Sequence, residues 1–214
     1  NHDVSFAAVW KFVQAGISYQ TVKNAILETA TSQEGTDNAI LIYHDNFYKS
    51  IPAMQVMVAA TPTIGIWYPR LTLALIKQWL TMDSFGEDVH LDKALPMIQF
   101  GNTLTLPKGF TVNCDYTFQG KGDSRVYQML KSTNTLDASV RKSFLKNALA
   151  VEVFANNILD DESTDIRIYS KAHSLRQCSN RSMRTYGITI RYNFNTTQSK
   201  YKGTGAGASQ KRRM

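Results

Sequence analysis

The sequence predicts an all-β fold, an antiparallel β-barrel segment of about nine or ten strands. Three observations carry this reading. From Met183 to Asn195 the chain alternates: Tyr186, Ile188, Ile190, Tyr192 and Phe194 are apolar or aromatic, with Thr185, Gly187, Thr189, Arg191 and Asn193 between them. Period two over that length makes a strand with one apolar and one polar face. The same code recurs upstream with roughly two dozen residues per hairpin and nothing helical between copies. The connections also alternate, with three or four residues at one end and mostly longer, polar loops at the other.

The elements follow in order. Val4 to Val9 end a first strand, and Phe12 to about Thr31 form the next, with Ala15, Ile17 and Tyr19 on one face. After a polar tip the chain returns through Ile40 to Thr63, where Met54, Val56, Val58 and Ala60 share a face. Ile64-Gly65-Ile66 is a tight turn. In Trp67 to Thr81, Leu71, Leu73 and Leu75 share a face with Trp67 and Trp79, opposite Arg70, Thr72 and Gln78. Pro96 to Leu106 descends, Pro107-Lys108-Gly109 turns, and Phe110, Val112, Cys114, Tyr116 and Phe118 alternate with polar residues. Tyr127 to Ser143 and Leu149 to Ala155 form a further pair around Leu145-Lys146-Asn147. The stretches Ser32–Asn46, Met82–Lys93 and Asn157–Ser182 are expected to be long polar loops. The count is nine spans, the first beginning at the long-loop end. Membrane barrels have even strand numbers with both ends on the short-turn side, so odd parity suggests a beginning outside this numbering.

The totals narrow the class. The chain has 214 residues, 11% aromatic and 19% charged, a balance unlike disorder. No stretch approaches the ~18 apolar residues of a membrane helix. The net charge is +7, and residues 195–214 hold five basic residues and no acid. The body is then only about +2, which argues against nucleic acid as a partner. Residues 1–195 are assigned to the barrel and 196–214 to a flexible basic tail. Cys114 and Cys178 are read as free thiols, Cys178 in a long loop.

Alternation alone does not say which face is inside. A soluble sandwich or lipocalin-like barrel would bury the apolar face; a membrane barrel turns it outward. The Gln, Asn, Thr, Asp and Arg content of the other face, the turn asymmetry and the aromatic placement favour the membrane. Trp67 and Trp79 stand twelve residues apart, about 40 Å of strand. Tilted by ~45°, that spans about 28 Å, close to the ~25 Å apolar band between aromatic girdles. Leu71, Leu73, Phe100 and Tyr116 are then expected to meet outer-membrane lipid, with Trp67 and Trp79 as interface anchors. Arg70, Gln99, Asp115, Gln119, Arg141 and Glu152 are the lumen-facing candidates.

Several segments resemble the C-terminal barrel portion of a TonB-dependent outer-membrane receptor. They are Ile64 to Pro69, Leu106 to Phe110, Arg141 to Leu145, Val153 to Ile158 and Arg191 to Phe194, in that order between about residue 40 and the C-terminus. Thr185, Gly187, Ile190 and Tyr192, followed by Phe194, also resemble the signal read by the outer-membrane assembly machinery. The resemblance implies a piece of a barrel of about 22 strands that imports a nutrient, with its C-terminus in the periplasm. Its implied partners are the remaining barrel strands, a plug domain, and a TonB-type energy-transducing protein reached through an N-terminal part outside this numbering. A surface lipoprotein is an open candidate. The twenty residues after Phe194 depart from the pattern. The competing reading is a structural or adhesive barrel that binds a partner protein through its loops.

No catalytic arrangement emerges, and the chain is not expected to be an enzyme or to carry a cofactor. His2, His44, His90 and His173 are scattered without ligand spacing. Asp160-Asp161-Glu162 is read as a solvated acidic tip rather than a calcium site. Gly203 to Gly207 lacks the ending of a phosphate-binding loop.

Overall fold

The computed structural model describes residues 1–32, 40–47, 49–84, 86–169, 174–179 and 184–194. β1 (His2–Trp10) and β2 (Val13–Val22) form a hairpin whose two-residue link holds Lys11 at φ 51°. Asn24, at φ 54°, then turns the chain into a ribbon of β3 (Ala25–Ser32) and β4 (Ile40–Phe47). β5 (Ile51–Ala60) returns beside β2. In the following turn Ile64 and Trp67 exchange both backbone hydrogen bonds, at 2.8 and 3.0 Å, with Gly65 at φ 59°. β6 (Trp67–Gln78) breaks at Trp79 and leads to a second ribbon, β7 (Leu80–Ser84) with β8 (Glu87–Leu91). β9 (Leu95–Leu106) and β10 (Phe110–Gln119) flank the short 3-10 turn at Pro107–Gly109. A small hairpin, β11 (Gly122–Ser124) and β12 (Tyr127–Met129), precedes β13 (Thr133–Phe144). A second 3-10 turn at Leu145–Asn147 joins β13 to β14 (Leu149–Asn156). β15 (Thr164–Tyr169) and β16 (Ser174–Ser179) form the last ribbon before β17 (Thr185–Tyr192).

The long strands make one antiparallel sheet in the order β1-β2-β5-β6-β9-β10-β13-β14-β17. Nine spans, their order and their tight turns agree with the alternation in the sequence. The three stretches expected to be loops instead hold most of β4, most of the β7–β8 ribbon and all of the β15–β16 ribbon, with Cys178 inside β16, whereas β3 falls almost wholly in a segment already expected to be strand. The reason is packing. Leu27, Ile51, Leu80, Met82, Leu91, Val126 and Ile168 meet in a single buried cluster, joined by Phe47, Val89, Tyr127 and Leu175. Every one of these residues lies at or beyond the long-connection end of the nine strands. The expected tail lies outside the described residues, as does Gly203 to Gly207.

The register reveals a strong stagger. One perpendicular row runs Trp10, Val13, Ala60, Leu71, Phe100, Tyr116, Leu136 across seven strands. Trp10 is the last residue of β1 before its tight turn, whereas Leu136 stands eight residues from the corresponding end of β13 at Phe144. Eight residues are about 26 Å along the strands, and six strand steps are about 29 Å across them. The strands therefore tilt by about 40°, within the range of membrane barrels. Among the described residues no strand pairs β1 with β17, so the sheet is open at both edges.

The same rows sort the side chains. One face is predominantly apolar and nothing described covers it: Phe100 is 37% and Ile190 69% exposed, with Val4, Phe6, Leu73, Val140 and Ile188 also exposed. Leu71, Phe100, Tyr116 and Ile190 thus line an outer surface and do not converge on a dry centre. The buried core belongs instead to the ribbons. Gln78 fastens them to β6: its Nε2 donates to Leu91 O at 3.2 Å and Arg125 O at 2.7 Å, and its Oε1 accepts from Arg125 N at 2.6 Å.

Leu91 is fully buried at the centre of that cluster, so Leu91→Ala should destabilise the ribbons by about 2–5 kcal/mol. Limited proteolysis in detergent should show cleavage within residues 80–91 while the nine-stranded sheet stays resistant. Resistance equal to wild type would contradict a shared core.

Candidate functional site: the polar face of the sheet

The face opposite the apolar one carries the charged groups. Arg70, Gly101 and Asp115 are register partners on β6, β9 and β10. Arg70 Nη2 donates to Asp115 Oδ1 at 3.2 Å across the intervening strand. Gly101 makes this possible, because a Cβ there would lie 2.6 Å from Asp115 Oδ1 and 3.0 Å from Arg70 Nη2. Both groups are exposed, so the pair contributes little to stability and mainly fixes the two head groups in place.

A hollow of about 630 Å³ adjoins this pair, walled by Arg70, Asn113, Asp115, Asp137, Glu152 and Phe154. Hydrogen bonds order its floor: Thr103 Oγ1 donates to Asn113 Oδ1 at 2.9 Å, and Asn113 Nδ2 to Ser139 Oγ at 3.2 Å. Asp137 Oδ1 accepts from the backbone N–H of Asn157 at 2.7 Å. Gln99 lines a neighbouring hollow with Arg70 and Asp115. Arg141 and Glu152 are register partners and share a small recess with Arg191. Five of the six lumen candidates therefore stand near one another on one face. Gln119 shares the face but sits at the long-connection end of β10, paired with Met97 and Thr133.

Phe154 was not singled out by the sequence. It lies on the polar face opposite Gly187, and a Cβ on Gly187 would come within 2.5 Å of its ring. The ring thus occupies the space that glycine leaves. Thr185 Oγ1 accepts from Asn156 Nδ2 at 3.2 Å. Tyr192 and Phe194 stack edge to face at 4.6 Å beyond Ile190. Trp67 lies on the apolar face at the tight-turn end of β6, where its Nε1 donates to Asn102 Oδ1 at 3.0 Å. That bond satisfies an amide placed among apolar neighbours. Trp79 lies just past the other end of β6, with Lys77 Nζ 5.4 Å from its ring centroid.

The remaining candidates are scattered. His2 and His44 are exposed and His90 Nδ1 contacts Thr81 Oγ1 at 3.0 Å, while His173 lies outside the described residues. Among the described residues no three His, Cys, Asp or Glu side chains are grouped to hold a metal. The acidic tip is not bare: Asp161 accepts from Asn134 Nδ2 at 2.7 Å and Lys131 Nζ at 2.6 Å, and these bonds lower its pKa. Asp160 pairs with Arg184 at 3.7 Å. On the last ribbon Arg176 grips Asp165 through two bonds of 2.9 and 2.7 Å and holds its carboxyl down at about 2. Both thiols are free.

The family model for the outer membrane protein beta-barrel family matches residues 1–192. The chain belongs to that family. It therefore forms a wall of an outer-membrane β-barrel. No curated protein and no solved structure matches it.

Two outcomes test this geometry. Gly187→Ala should weaken the β14–β17 pairing by about 1–3 kcal/mol, as overpacking does. The same change made in a Phe154→Ala background should cost much less, because the clash is gone; refolding yield into bilayers, resolved by heat-modified gel mobility, reads both. The Asp165 pKa is depressed, so the stabilisation from its pair is present above about pH 4 and lost as pH falls toward 2. Melting of the ribbons followed by circular dichroism should fall over that window in the wild type, whereas Asp165→Asn should start lower and lack that step.

Proposed function

We propose that this chain is the C-terminal barrel wall of a TonB-dependent receptor that imports a nutrient across the outer membrane. The polar face lines the passage, where Arg70, Gln99, Asp115, Gln119, Arg141 and Glu152 meet plug or substrate. Trp67 and Trp79 anchor the two interfaces. The tight turns and the C-terminus face the periplasm, and the ribbons face outward. Further strands and a plug outside this numbering complete the barrel, and energy arrives from a TonB-type protein through the N-terminal part. Thr185, Gly187, Ile190, Tyr192 and Phe194 form the assembly signal on the closing strand.

The observation that carries the reading is the hydrogen-bonded, charged hollow on the face opposite lipid, set on strands tilted by about 40°. A wall that only excluded water would not need an ordered array of Asp, Glu and Arg facing inward. The order of the resembling segments adds support. The second reading, an adhesive barrel without transport, draws support from the shared core of the ribbons, which would preorganise a protein-binding platform.

One measurement tests the membrane assignment that both readings share, and a second separates them. Leu73→Arg should cost roughly 2–4 kcal/mol of folding stability in a bilayer, and no cost would remove the lipid-facing assignment. The full-length protein in detergent should bind a purified periplasmic domain of its TonB-type protein in calorimetry. No binding to that domain would favour the adhesive reading.

A further inference from the structure

The apolar face of the nine strands carries two charged residues among those described, Lys77 on β6 and Lys142 on β13. Lys77 lies ten residues beyond Trp67, and Lys142 two residues before Phe144. The eight-residue difference, at ~3.3 Å per residue and a tilt of about 40°, sets their Cα levels about 20 Å apart. With each side chain reaching outward by a few ångströms, the ammonium groups bracket the ~25 Å apolar band.

The Lys142 end is the more elaborate. Its Nζ lies 4.0 Å from the Phe110 ring centroid and 5.6 Å from that of Phe144. It also donates a hydrogen bond to the carbonyl of Lys108 in the 3-10 turn. Lys108 holds φ 63°, and the next residue, Gly109, packs so closely on β13 that a Cβ would sit 3.1 Å from Ser143 O. That contact fixes the turn over Lys142. Phe110, Phe144 and Leu145 are exposed on the lipid side. Among the described residues no carboxylate pairs with either lysine. The site thus presents the Lys142 ammonium, with spare N–H donors and a greasy floor, and calls for an anion with an apolar body. Lys11 over Trp10, at 4.9 Å, repeats the motif at another tight turn.

We propose that Lys142, with Lys108 beside it, binds the phosphate of an anionic phospholipid in the leaflet at the tight-turn rim. The acyl chains lie along Phe110, Phe144 and Val140. This rests on the lipid-facing reading of the sheet.

The test uses the full-length protein in detergent with added dioleoyl phosphatidylglycerol or phosphatidylcholine, and counts retained lipid by native mass spectrometry. Wild type should prefer phosphatidylglycerol. Lys142→Met, which keeps the apolar stem, should lower that preference by about fivefold, the effect of one lysine at a membrane surface. Lys142→Arg should retain it. Equal retention of the two lipids by wild type, or an undiminished preference in Lys142→Met, overturns the proposal. So does displacement of phosphatidylglycerol by excess inorganic phosphate, which would mark a free-phosphate site. A separate insertion assay in vesicles checks the parent reading: a protein that inserts yet shows no preference refutes only the phosphate site, whereas one that stays monodisperse without detergent refutes both.

Discussion

The structure depends on one constraint: inside hydrocarbon, each backbone N–H and C=O must find a partner within the protein. A staggered antiparallel ladder meets it for the seven inner strands at once, and period-two alternation then sorts the side chains between the two faces. The exceptions obey the same rule. Asn102 falls in the apolar phase, and Trp67 supplies the donor that its amide oxygen requires. Lys77 and Lys142 fall in the apolar phase too, but only at its rims, where an ammonium reaches polar surroundings. The additional strands proposed beyond β1 and β17 would answer the same demand at the two open edges.

On the opposite face the governing factor is space. Arg70 and Asp115 meet because Gly101 stands between them without a side chain. Phe154 lies flat because Gly187 does the same on the neighbouring strand. Each glycine gives up β-propensity and in return allows a large or charged group to lie across a strand instead of projecting from it. The result is a smooth polar wall with a shallow hollow.

Much of this was legible in the sequence. The nine spans, the tight turns at residues 64–66, 107–109 and 145–147, and the two faces all follow from alternation and turn chemistry, which are local. The β7–β8 and β15–β16 ribbons are hidden because their strands have only five and six residues each, too few for alternation to stand out in polar company. Their burial comes from partners far along the chain. The Arg70–Asp115 pair and the Phe154–Gly187 contact depend on register between strands, which residue types do not encode one strand at a time. Six candidates could be placed on a face by parity, but which of them touch could not.

The cluster that unites Leu27, Leu80, Leu91, Val126 and Ile168 has a temporal consequence. Its members are distant along the chain, and closing such long loops in an unfolded polypeptide is entropically costly. The sheet removes that cost by laying the strand ends side by side. The crown of ribbons is therefore cheap to close only on a wall whose strands already stand in register. A lesion in the crown leaves the wall able to form, whereas a lesion in the wall denies the crown its foundations.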